Sequence, residues 1–148
     1  MSPGSPFTNY LMKKIVFILF LFVSSAAFAA GPIDIFRTGL EAYRANGADA
    51  LLRTWYNTDE EAKVNKIRAN LTAITANLGP AIDTEVFVPK QVGSRLTRLY
   101  GVIYFQKRPL WFRADYYTAE GAGGFLSLEF SLIPEEILPL EIGISAGK

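Results

Sequence analysis

The apolar period of this chain changes at Gly79-Pro80. Before that point Val64, Ile67, Leu71, Ile74 and Leu78 recur at steps of 3, 4, 3 and 4, a spacing that gathers side chains on one face of a helix. After it, Leu110, Phe112, Ala114 and Tyr116 alternate with Trp111, Arg113, Asp115 and Tyr117, and Leu126, Leu128, Phe130 and Leu132 alternate with Ser127, Glu129 and Ser131. That is the period of a strand. A chain that spends its helices first and its strands second is expected to fold as α+β, with N-terminal helices packed on a curved antiparallel β-meander.

The remaining elements follow from the same patterns. Ile33, Phe36, Leu40 and Tyr43 mark a first helix that Asn46-Gly47 should end. Leu51, Leu52, Trp55 and Tyr56 mark a short second one. Thr58, with Glu61 three residues on, reads as a capping box opening a long helix over Asp59 to Leu78. That helix is expected to cover one face of the sheet, with Ile67, Leu71 and Ile74 against Leu126, Leu128 and Phe130. Strands are expected over Ile82 to Val88, Arg95 to Phe105, Leu110 to Thr118 and through Leu132, with turns at Lys107-Arg108-Pro109 and Glu120 to Gly124. Gly101, inside the longest strand, reads as a bend or bulge. Residues 30–134 form one domain, and Pro134, Pro139 and Gly143 imply an irregular tail over 135–148.

The N-terminus carries a different signal. Lys13-Lys14, the apolar run Ile15 to Val23 and the small residues Ser24 to Ala30 have the order of a secretory signal peptide. The apolar run is shorter than the roughly 20 residues a permanent span needs. Ala27-Phe28-Ala29 predicts cleavage after Ala29, with Ala30 as the second choice. Residues 1–29 are thus read as a leader, 12–29 as the signal peptide, and Met12 as the start of translation. The expected destination is the periplasm or the exterior, with no stable membrane anchor after cleavage.

Composition narrows the chemistry. The chain has no cysteine and no histidine. Disulfides, thiol nucleophiles, thiolate metal sites, Ser–His triads and His-ligated zinc are excluded. Without Lys13 and Lys14 the formal charge drops from +1 to −1, which gives no reason to expect a nucleic-acid partner. Asp83 and Glu85 alone make a poor calcium site. No metal and no cofactor are expected.

The order of elements resembles the NTF2-like, or cystatin-like, α+β superfamily. The likeness is architectural and covers Pro32 to Ile133. It rests on the helices with their Trp55-Tyr56 pair, on Tyr104 to Phe112 and on Phe125 to Phe130. The resemblance implies a cavity between curved sheet and helices, and face-to-face pairing of sheets into a homodimer. It brings no catalytic motif, and the fold does not fix the function.

Candidates to line such a cavity are Trp111, Arg113, Asp115 and Tyr117 on one strand face, with Tyr100 and Tyr104 on the neighbouring strand. Aromatic walls with a few polar groups suit a small molecule. The cations Lys90, Arg95, Arg98, Lys107, Arg108 and Arg113 suggest an anionic one. The same face could instead be solvated, or its rings could fill the core. The leading expectation is an exported, non-catalytic binding or interaction module for an unknown small molecule or envelope protein. One alternative is an isomerase- or dehydratase-like acid/base enzyme using Asp115 with Tyr117 or Tyr100, on the pattern of ketosteroid isomerase. The other is a structural envelope protein acting through its sheet face.

Overall fold

The computed structural model describes residues 30–56, 60–87, 89–120 and 122–140. The leader of residues 1–29, Thr58 of the expected capping box and Val88 lie outside them. Three helices come first: α1 (Pro32–Asn46), α2 (Ala48–Trp55) and α3 (Glu61–Thr75). Five strands follow, β1 (Ala81–Val86), β2 (Lys90–Val92), β3 (Leu96–Phe105), β4 (Pro109–Ala119) and β5 (Ala122–Ser131), and then a one-turn helix α4 (Pro134–Ile137). The fold is α+β, with helices N-terminal to an open antiparallel sheet of order β1-β3-β4-β5. The short β2 shares an edge of β3 with β1, pairing at Leu96 to Arg98 while β1 pairs at Gly101 to Phe105.

Local chemistry explains the helix ends. Pro32 opens α1 at a position where its missing N–H costs nothing. Gly47, at φ 81°, ends it with its N–H on the Tyr43 carbonyl at 2.7 Å, a backbone shape a side chain would oppose. The helix expected over Asp59 to Leu78 is shorter, and Glu60 precedes its first turn without a side-chain cap.

The helix that lies on the sheet is α1, not α3 as the periodicity suggested. The physical reason is the space left by two glycines. A Cβ on Gly101 would stand 2.7 Å from Leu40 Cδ1 and 2.8 Å from Phe36 Cε1. Gly101 stays in register with Val86 and Phe112, so it marks a close approach of α1 and not a bend. On the other side of α1, a Cβ on Gly39 would meet Trp55 Nε1 at 1.9 Å. Helix α3 packs mainly on α2, and only Leu71 of its stripe is fully buried. Val64, Ile67 and Ile74 are half-buried against the core.

Trp55 is the hub of that core. It stacks on Phe36 at 4.9 Å between ring centres, meets Phe125 at 5.2 Å and stands edge-on to Phe112 at 6.4 Å. Its indole N–H donates to the Ile35 carbonyl at 3.1 Å, so the ring is buried with its polar atom satisfied. Leu40, Leu51, Leu52, Leu71, Leu99, Ile103, Leu110 and Phe112 complete the interior. Each large side chain buried this way is worth roughly 1.5–3 kcal/mol against exposure.

Two bulges bend the sheet. Pairing shifts between Ala81 and Asp83 on β1, leaving Ile82 as the extra residue. On β5, Phe125 opposes Tyr116 and Ser127 opposes Asp115, leaving Leu126 extra. Leu126 therefore turns outward and is 57% exposed, and Phe125 takes the inward place expected of it. The tail also differs from expectation: α4 contacts β4 and β5, and Ile137 is buried. Residues 141–148 lie outside the described residues.

Candidate functional site

The strand faces decide where a site can be. Leu110, Phe112, Ala114 and Tyr116 are buried toward the helices. Trp111, Arg113, Asp115 and Tyr117 point the other way. In register with them are Tyr100 opposite Arg113, Arg98 opposite Asp115, Leu96 opposite Tyr117, and Glu129 and Ser127 on β5. The expected pocket residues thus share one face, but they do not stand between sheet and helices.

Their polar groups are mostly taken. Arg98, not Arg113, meets Asp115: Nε donates to one carboxylate oxygen at 2.7 Å and Nη2 to the other at 2.9 Å. This pairing holds the Asp115 carboxyl below the usual carboxylate range, against the opposing effect of burial. Arg113 donates to Glu129. Tyr104 donates to Glu85 at 2.8 Å, and burial, with that carboxylate as acceptor, pushes its hydroxyl up to about 12. Tyr100 and Val102 are buried on this face, apart from the helix-side core. Trp111 stacks with Phe87 at 6.2 Å, and its indole nitrogen is buried without a hydrogen-bond partner. Tyr117 is 37% exposed. An acid/base centre needs a carboxyl free to exchange a proton near working pH; Asp115 is instead held ionised in a bidentate pair.

The open space lies elsewhere, between the end of α2 and the β4–β5 hairpin. A cleft of about 450 Å³ is walled by Ile35 of α1, Trp55 and Tyr56 of α2, and Tyr116 and Phe125 of the hairpin. Arg53, Thr54 and Glu60 form its polar side, and Gly123 and Gly124 its remaining wall. Tyr116 can lie over the hairpin because Gly123 has no side chain: a Cβ there would stand 2.4 Å from the Tyr116 hydroxyl. Phe125 reaches the cleft only because of the Leu126 bulge. Tyr116 meets it edge-on at 5.1 Å.

Tyr56 is the unusual member. It leaves α2 in an extended conformation with its N–H on the Leu52 carbonyl at 2.9 Å. Its hydroxyl is buried without a hydrogen-bond partner. Burial, and then the charge of Glu60, push that hydroxyl up to about 12, so it keeps its proton. Lys63 closes over the ring, 5.1 Å from its centre, and donates to Glu60 at 3.2 Å and to the Leu126 carbonyl at 3.4 Å. A second cleft of about 340 Å³ lies between α2 and α3; it shares Arg53 and Tyr56 and adds Leu52, Glu61, Val64, Asn65 and Arg68. Arg68 is engaged by Asp49 and Asn65.

Of these residues, sequence reasoning noted the Trp55-Tyr56 pair and Phe125 for the resemblance alone. Arg53, Gly123 and Gly124 were missed as site residues. The available signal was the Gly123-Gly124 pair beside an aromatic strand, which marks a close approach as readily as a turn. Among the described residues no group of carboxylates could hold a metal ion, and no helix is long and apolar enough to cross a membrane. Comparison with protein-family models, characterised proteins and solved structures finds no match for this chain.

Proposed function

We propose that this chain is an exported, non-catalytic binding module of NTF2-like or cystatin-like architecture, and that its ligand site is the cleft between α2 and the β4–β5 hairpin. One observation carries the reading: four aromatic side chains, Trp55, Tyr56, Tyr116 and Phe125, converge on about 450 Å³ of open space. That volume falls in the range of small-molecule sites. Export is supported by the order of Lys13-Lys14, the apolar run and Ala27-Phe28-Ala29. The acid/base alternative finds less support, since Asp115 is gripped by Arg98.

The test uses the processed protein purified from the cell envelope. Its N-terminus, read by mass spectrometry, should be Ala30; a retained Lys13 to Val23 segment sinks the export reading. Binding is probed with phenylnaphthylamine, an uncharged aromatic fluorophore, in a Trp111→Phe background so that Trp55 is the only indole donor. Saturable energy transfer from Trp55, lost in Gly123→Val, supports the cleft. Absence of saturable binding refutes it.

A further inference from the structure

The charges around the cleft are unequal in their freedom. Glu60 is occupied by the Lys63 ammonium at 3.2 Å. Arg53 has no ion-pair or hydrogen-bond partner among the described residues, although it borders both clefts. Tyr56, which also borders both, holds a proton that no acceptor receives. The Tyr56 hydroxyl is buried out of reach, so the cleft sets one unused donor group, the Arg53 guanidinium, beside rings that the core holds in place.

A guanidinium presents its N–H groups as a planar fork that matches the paired oxygens of a carboxylate, sulfonate or phosphate. A cationic ligand would meet Arg53, and the one carboxylate lining the cleft, Glu60, is already held by Lys63. A neutral one would cover Arg53 without pairing it, at a desolvation cost. We propose that the cleft accepts a small organic anion with an aromatic or apolar body, its body against Trp55, Tyr116 and Phe125 and its anionic group on Arg53. This rests on the reading of the cleft as the ligand site. It also moves anion recognition from the β4 face, where Arg113 and Arg98 already hold Glu129 and Asp115, to the end of α2. The ligand must be small: the cleft suits a single compact molecule and not a polymer.

The experiment compares two probes of similar shape, anilinonaphthalene sulfonate and uncharged phenylnaphthylamine, on the processed protein in the Trp111→Phe background. The sulfonate is expected to bind about tenfold more tightly, the equivalent of one partly solvated charge-assisted hydrogen bond. Added salt should shrink that advantage. Arg53→Gln should erase it and Arg53→Lys should restore part of it, with the melting temperature of each variant as the control for folding. Equal affinities for the two probes, or a sulfonate preference that survives Arg53→Gln, overturn the assignment of an anion to Arg53 while the cleft itself stands. Failure of both probes to bind overturns the cleft and this inference together.

Discussion

Arg98 grips Asp115 across β3 and β4 with both ends of its guanidinium, at 2.7 and 2.9 Å. The two residues are directly opposite in the register, so neither side chain has to bend to reach the other. The arginine lowers the carboxyl's affinity for protons in the folded state. Stability from a carboxyl lowered this way is present above its unfolded value of about 3.9 and fades as pH falls through its still lower folded value. The Arg98 side chain is 35% exposed and that of Asp115 18%, so solvent discounts the pair from the cost of a buried one. Asp115→Asn should lose about 1–2 kcal/mol at neutral pH. The gap to the parent should narrow steadily as pH is lowered from about 4, as followed by denaturant melts. A gap independent of pH would show that the pair acts through shape and not through charge.

The stripe on α3 should behave unevenly. Leu71 is fully buried, whereas Ile67 and Ile74 are only half-covered. Leu71→Ala is expected to cost about 2–5 kcal/mol, and Ile67→Ala or Ile74→Ala distinctly less. Similar losses at all three positions in chemical denaturation would mean that α3 is packed far more deeply than α2 alone allows.

Gly101→Ala separates a bend from a close approach by the sign of its effect. Alanine in an unobstructed strand position would stabilise through the unfolded chain. Here the added methyl meets Leu40 and Phe36, so overpacking should cost about 1–3 kcal/mol. Gly39→Ala, aimed at the rigid indole of Trp55, should cost more. Thermal melts of the two variants decide this.

Two tyrosines offer a matched comparison. The Tyr43 hydroxyl donates to Thr75 at 3.1 Å, and Tyr43→Phe should lose about 0.5–1.5 kcal/mol. The Tyr56 hydroxyl has no partner, so Tyr56→Phe should be neutral or stabilising by up to about 1 kcal/mol. A loss at Tyr56 equal to that at Tyr43, measured in denaturant, would reveal an acceptor for its proton in solution.

The type of each main element was legible because helix and strand periods differ, and Gly79-Pro80 separates them cleanly. Which helix would cover the sheet was not. That depends on the room left by Gly39 and Gly101, and a missing side chain leaves no periodic mark. The two faces of β4 posed a similar difficulty. Arg113 and Asp115 mark one face as polar, but Trp111 and Tyr117 on it are large aromatics, so alternation identified the faces while leaving open which one bordered a pocket. The Leu126 bulge shifted the register by one residue and exchanged the roles of Phe125 and Leu126. The cleft was illegible for the same reason: it draws Trp55 from one element and Phe125 from another, seventy positions apart, and only packing brings them together at 5.2 Å.

The Leu126 bulge has a consequence for the molecule's neighbours. Strand β5 ends the sheet, and an unpaired strand invites another chain to extend it. Near its middle this one carries an extra residue, and the Leu126 carbonyl is already met by Lys63. An incoming strand would lose its register there and would have to displace an ammonium group to continue. The same irregularity that delivers Phe125 to the cleft therefore makes β5 a poor template for growth, which guards a chain without disulfides against aggregating through its open edge.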